Sequence, residues 1–147
     1  MNQYPQLKLE NQLCFPLYAC AKEITRRYVP LLEPYNLTYT HYIVMMVLWE
    51  KGELTVTELG KALSLDSGTL TPVLKKLEAN GYVKRRRSSD DERSVLASPT
   101  DKGWDLQEKL SSVPQEIGSC VKLTPEEARL LYGLLYKVID GFENCQQ

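Results

Sequence analysis

Apolar positions recur at spacings of three and four through Leu9, Leu13, Leu17, Ala21, Ile24, Tyr28 and Leu31. That period predicts an amphipathic helix over about Lys8 to Leu32. Pro16 interrupts it, because a proline past the first turn removes a backbone hydrogen bond and crowds the preceding turn. Either the helix begins near Leu13 or it kinks there, and both options set Cys14 beside irregular backbone. The link Pro34-Tyr35-Asn36-Leu37-Thr38 leads to a second helix over about Thr40 to Glu50, ended by Gly52.

Thr55-Val56-Thr57-Glu58 has the form of a capping box, in which a threonine oxygen and a glutamate satisfy the free amides of a helix start. The short helix it opens, Val56 to Leu63, carries Leu59 and Leu63 on one face. After Ser64-Leu65-Asp66 a further helix starts at Asp66 or Ser67 and stops before Gly81, with Leu70, Val73, Leu74 and Leu77 facing inward. Two short helices joined by a tight turn form a helix-turn-helix. Strand-like runs at 82–86 and 94–97 flank the charged stretch 88–93, which predicts a β-hairpin.

The last third returns to helix. Leu106, Leu110, Val113, Ile117 and Val121 predict one helix bent by Pro114 and Gly118. Thr124-Pro125-Glu126-Glu127 is a strong helix start, followed by the apolar stripe Ala128, Leu131, Leu135, Val138 and Phe142. The pattern predicts a mainly α chain with a small β-hairpin wing, forming one domain over residues 1–147. A winged helix-turn-helix at about 40–99 is flanked by N-terminal (about 8–32) and C-terminal (about 100–145) helices. Amphipathic helices at both ends of a small module need a partner surface, and a symmetric dimer supplies one.

Composition narrows the function classes. With 43% hydrophobic and 25% charged residues the chain can build an ordinary globular core. No stretch approaches the roughly 18 apolar residues that span a bilayer. Met1-Asn2-Gln3-Tyr4-Pro5 lacks the basic and apolar regions of a signal peptide, so a cytoplasmic protein without membrane association is expected. Cys14, Cys20, Cys120 and Cys145 form no CxxC pair, and His41 is the single histidine, so no metal site or cofactor is expected. Residues 61–93 hold eight cations against five anions, a local +3 in a chain of net charge −1. One basic region on a near-neutral chain fits nucleic-acid binding by that region.

The element order, with Leu65-Asp66-Ser67-Gly68-Thr69-Leu70-Thr71-Pro72 and Asp91-Glu92-Arg93, resembles the MarR family of winged-helix regulators. The block Leu9-Glu10-Asn11-Gln12-Leu13-Cys14-Phe15, with Leu17-Tyr18, Tyr28 and Leu37-Thr38-Tyr39, is similar to its organic-hydroperoxide-sensing repressors and their thiol-based relatives. The resemblance covers nearly the whole chain. It implies a homodimer that reads an inverted repeat in double-stranded operator DNA. Arg93 would enter the minor groove, with Asp91 orienting its guanidinium.

The residues support a DNA reader on their own terms. A helix opening with Ser67, Thr69 and Thr71 can approach base edges, and its amino end can accept a phosphate. Thr69 and Thr71 either face bases or merely cap and pack. Lys75 and Lys76 lie one to two turns on, placed for phosphates, while Lys84, Arg85, Arg86 and Arg87 can neutralise backbone charge.

A peroxide sensor needs a thiolate nucleophile. A cysteine in a helix is ordinarily a small buried hydrophobe, but Cys14 is near a helix start, where free amides favour the anion. Tyr18 lies one turn away and could donate to the sulfur. Tyr28 shares the face but stands fourteen residues on, about 21 Å along a continuous helix. The resemblance implies that Tyr28 and Tyr39 of one subunit hydrogen-bond Cys14 of the other. It also implies two sequels to oxidation: a mixed disulfide with a small thiol, or a disulfide to a second cysteine of the other subunit, for which Cys120 is suitably placed. Two rivals follow. One is a MarR-type repressor relieved by a phenolic or aromatic ligand; a broader thiol-based virulence or stress regulator is a variant of the first reading. The other is a thiol peroxidase, for which no activating arginine is evident.

Overall fold

The computed structural model describes residues 3–145, so Met1 and Asn2 of the leader reading lie outside it. The chain forms two compact units, divided between Pro114 and Gln115.

The first unit opens with two short 3-10 turns, Pro5–Leu7 and Leu9–Asn11, before helix α1, Cys14–Leu32. The helix therefore begins near Leu13, one of the two options Pro16 left open, and six residues after the Lys8 start of the apolar period. Pro16 explains the later start: as the third helical residue its missing N–H has no intrahelical partner to lose. A 3-10 turn at Glu33–Tyr35 and a left-handed Asn36 (φ 58°) reverse the chain into α2, Tyr39–Lys51. Helix α2 is capped by Thr38 and ended by Gly52 at φ 82°.

Strand β1, Leu54–Thr55, runs directly into α3, Val56–Leu63, whose Thr55–Glu58 capping box forms as predicted. Ser64 in the left-handed region (φ 54°) turns the chain toward α4, Ser67–Ala79. A side chain on Gly60 would put its Cβ 2.6 Å from the Leu65 carbonyl oxygen, so only glycine lets the two helices approach this closely. Helix α4 closes in a Schellman motif, Tyr82 N–H to Leu77 O (2.9 Å) and Gly81 N–H to Glu78 O (2.9 Å), with Gly81 at φ 81°.

The wing pairs β2, Val83–Arg87, with β3, Val95–Pro99, antiparallel from Val83↔Pro99 to Arg87↔Val95. The sheet has three strands, not the expected two, in the order β1-β3-β2. The core of this unit is aliphatic: Leu32, Val44, Leu48, Leu59, Leu70, Leu74 and Leu77 are fully buried, each contributing about 2 kcal/mol of apolar transfer.

Helix α5, Asp101–Lys109, packs through Gly103, whose Cβ would collide with the Tyr82 carbonyl. Helix α6, Val113–Cys120, follows a turn at 110–112. The predicted single bent helix is thus two helices. Pro114 has no N–H to offer the Leu110 carbonyl, which accepts from Val113 N–H (3.1 Å) and closes a turn instead.

In the second unit α7, Pro125–Glu143, starts with the predicted Thr124–Glu127 capping box. Its apolar stripe is uncovered within the chain: Leu131 and Val138 are each 42% exposed and Phe142 71%. No helix among the described residues is long and apolar enough to cross a membrane.

Candidate functional site

Helix α4 presents the predicted DNA-reading residues. Asp66 caps it, accepting from Thr69 N–H at 2.7 Å. The Thr69 amide and hydroxyl, with the Gly68 amide, hold the Asp66 carboxyl below the usual carboxylate range. Ser67, Thr69, Lys75 and Lys76 are exposed. Thr71 is turned to the helix itself, its hydroxyl donating to Ser67 O at 2.8 Å.

The carboxyl end of α4 is bound to the segment that follows α1. Asn36 Nδ2 donates to Asn80 Oδ1 (3.1 Å), Asn80 Nδ2 to Asn36 O (3.1 Å), and the Tyr82 hydroxyl to Tyr35 O (3.1 Å). The Lys102 ammonium donates to Asn80 O at 2.7 Å and stands 4.8 Å from the centroid of the Tyr82 ring.

In the wing, Arg85 pairs with Glu78 (3.0 Å) and Arg86 with Glu53 (2.6 Å), while Arg87 donates to Glu92 O at 2.8 Å. In the sequence these three and Lys84 read as one phosphate-contacting run, and the carboxylate partners of Arg85 and Arg86 are not visible there. Asp91 was expected to orient the Arg93 guanidinium. Instead its two oxygens accept from Arg93 N–H (3.0 Å) and the Ser94 hydroxyl (3.1 Å), so it shapes the turn that projects Arg93 through the main chain.

Cys14 is the first residue of α1 and is exposed, with exposed Tyr18 one turn on. Asn11 and Gln12 of the cysteine-bearing block fold back onto the preceding 3-10 turns. Asn11 Nδ2 donates to Pro5 O (2.8 Å), and Gln12 Nε2 to Gln6 O (2.5 Å) and Lys8 O (3.2 Å). They brace the backbone that delivers Cys14, a role the sequence did not disclose.

Tyr28 and Tyr39 pack together, ring centroids 4.7 Å apart. Tyr42, missed in the sequence, completes the cluster at 5.6 Å from Tyr28 and 6.4 Å from Tyr39. Its signal was its place one turn after Tyr39, on the same face. Tyr42 leans edge-on against Trp49, whose indole N–H donates to Gly103 O at 2.8 Å. Burial, then the neighbouring phenols, push the Tyr28 hydroxyl up, and burial followed by Tyr39 does the same for Tyr42. Both remain protonated donors at neutral pH. Cys20, Cys120 and Cys145 are free and exposed, and the Cys120 thiol donates to Glu116 O at 3.7 Å.

Beside the tyrosines lies a cleft of about 690 Å³ whose lining includes Lys22, Arg26, Val29, Tyr39, His41 and Lys76. His41 is buried, and its Nδ1 accepts from Thr38 N–H at 2.9 Å within the cap of α2.

Residues 26–110 match the family described as transcriptional regulator SarA/Rot. The organic hydroperoxide resistance transcriptional regulator of Bacillus subtilis (strain 168) is 46% identical over 139 residues, covering 95% of each chain. The structure of reduced AbfR bound to DNA superposes with a TM-score of 0.79 at 34% identity, covering 93% of this chain and 95% of the other. Disulfide-formed AbfR is 34% identical with a TM-score of 0.63, covering 95% of both chains. AbfR is a protein of Staphylococcus epidermidis.

Proposed function

Because the chain belongs to the SarA/Rot-type MarR family of winged-helix transcription regulators, we propose that it is a dimeric repressor released from its operator when an organic hydroperoxide oxidises Cys14. The observation that carries this reading is the separation of sulfur from donors along one helix. Cys14 stands exposed at the start of α1, while the phenols of Tyr28 and Tyr39 gather near its far end, about 21 Å away at 1.5 Å per residue. Two protomers crossing head-to-tail bring each thiol to its partner's phenols. The uncovered apolar stripes of the terminal helices supply the surface for that pairing.

The chemistry is a displacement at oxygen. The Cys14 thiolate attacks the terminal peroxide oxygen and the O–O bond breaks. The alkoxide leaves and takes a proton as the alcohol, and sulfur becomes a sulfenic acid. A second thiol then displaces hydroxide from that sulfur, giving a disulfide and water. The thiol is Cys120 of the other subunit or a small thiol from solution; the relatives include a disulfide-formed state. Displaced phenols move α1 against α2. That shift reaches α4 through the Asn36–Asn80 and Tyr35–Tyr82 bonds, and it moves the reading heads out of register with the grooves.

On the DNA, Ser67 and Thr69 reach base edges, Lys75, Lys76, Lys84 and Arg87 hold phosphates, and Arg93 enters the minor groove of each half of an inverted repeat. Intact-mass measurement after one equivalent of cumene hydroperoxide, with and without a small thiol, tests the sensor. A Cys14–Cys120 link or a small-thiol adduct on Cys14 is expected, and an unmodified Cys14 would sink the reading. The cleft with its Lys22, Arg26 and Lys76 rim supports the second reading, relief by an aromatic anion. Release by such a ligand that survives Cys14→Ser would favour it.

A further inference from the structure

Arg85 and Arg86 are adjacent on β2 and so project from opposite faces of the wing. Arg86 forks onto Glu53, Nε to Oε2 at 3.1 Å and Nη2 to Oε1 at 2.6 Å. Glu53 immediately precedes β1, and β1 and β2 are the two outer strands, with Thr55 and Arg86 both opposite Leu96 of β3. The pair therefore straddles the central strand and ties all three together. Arg85 engages Glu78 in the last turn of α4. Its Nη2 donates to Oε1 at 3.0 Å and its main-chain N–H to Oε2 at 3.2 Å. The Arg85 side chain is only 23% exposed, and its Nε is buried without a partner. The guanidinium beside it holds the Glu78 carboxyl below the usual range.

A two-stranded hairpin is marginal by itself, and its orientation must come from what holds its strands. Here β2 is gripped from both faces, at its middle by α4 through Arg85 and nearer the tip by the segment leading into β1 through Arg86. Beyond the grip, Asp91 closes the tip that carries Arg93. Exposed ion pairs contribute little to stability, but a two-bond fork fixes direction as well as distance.

We infer that Glu53 and Glu78 are positioning residues for DNA reading, aiming the wing relative to α4 through Arg86 and Arg85. Lys84, Arg87 and Arg93 are then the wing cations that meet DNA. The inference rests on the DNA-binding reading above, and it takes Arg85 and Arg86 out of the phosphate-contact set.

The sign of a mutational effect decides the matter. Removing an anion beside a DNA-binding surface raises affinity for any DNA by simple electrostatics. Positioning predicts the opposite for cognate sites. The probes are a duplex enriched from a random-sequence pool by the wild-type protein and bulk calf-thymus DNA, at one salt concentration. Glu53→Gln and Glu78→Gln are each expected to bind the enriched duplex about tenfold more weakly, the scale of one charge-assisted hydrogen bond. Binding to bulk DNA should be unchanged or tighter, with the melting temperature preserved. The swapped pair Glu53→Arg with Arg86→Glu, which keeps the fork, is expected to recover selectivity. It decides the case if a Gln variant melts early. Equal or tighter binding of the enriched duplex by either Gln variant, or a swapped pair no better than Glu53→Gln, overturns the inference. A wild-type protein that enriches no sequence overturns the DNA reading itself.

Discussion

The ring of Tyr28, near the end of α1, lies 4.7 Å from that of Tyr39, the first residue of α2. Neither phenol can reach its own Cys14, yet burial keeps the Tyr28 hydroxyl protonated and ready to donate. Both rings pack, so removing only the oxygens separates the sensor role from the core role. Tyr28→Phe and Tyr39→Phe are expected to melt near the wild-type temperature but to slow Cys14 oxidation by cumene hydroperoxide about tenfold, the worth of one hydrogen bond to a charged group. Stopped-flow trapping of the sulfenic acid measures this, and an unchanged rate in both variants would assign the tyrosines to packing alone.

The exposed cations of α4 give a second expectation. Lys75→Ala and Lys76→Ala should weaken binding to all sequences alike, and each should reduce the slope of log affinity against log salt by about 1. Arg93→Ala should cost about 1–3 kcal/mol and relax sequence preference. Anisotropy titrations across salt concentrations distinguish the two behaviours, and an unchanged slope in both lysine variants would contradict phosphate contact there.

Gly60 tests the helix-turn-helix itself. Its Cβ would stand 2.6 Å from a main-chain oxygen of Leu65, an atom that cannot swing away as a side chain can. Gly60→Ala should therefore destabilise the chain by about 2 kcal/mol through overpacking. Thermal or urea melts followed by circular dichroism check it. A gain in stability would mean that the turn between α3 and α4 is looser than described.

The single histidine makes stability depend on pH. Burial first, and the Lys76 charge second, hold the His41 imidazole below its ordinary value of 6.5. The folded chain thus binds this proton less readily than the unfolded chain does. His41 costs no stability above pH 6.5, and stability falls as the pH drops below 6.5 toward the lower folded value. Protonation of Nδ1 also removes the acceptor that Thr38 N–H uses at 2.9 Å in the α2 cap. Urea melts between about pH 7.5 and 5 should show this loss, and His41→Gln should flatten it. An equal slope in the variant would place the effect elsewhere.

Local signals were readable in the sequence, and long-range ones were not. The Thr55–Glu58 and Thr124–Glu127 boxes span four residues each, so α3 and the start of α7 fell where expected. Strand β1 has two residues and no periodicity, and it exists only through pairing with Ala97 and Leu96. The fate of Arg85 and Arg86 was equally hidden, because their partners lie 7 and 33 residues away and a cation run reads the same whether solvated or paired. The Cys14 block singles out a candidate thiol by its neighbouring residue types. The bracing by Asn11 and Gln12 appears only once the 3-10 turns are formed.

The central claim is that one sulfur controls the grip on DNA. Fluorescence anisotropy of a labelled, protein-bound operator duplex, titrated with cumene hydroperoxide, measures it directly for wild type and Cys14→Ser. Wild type should release the duplex near stoichiometric peroxide while Cys14→Ser holds it throughout. Equal release from both would contradict the account.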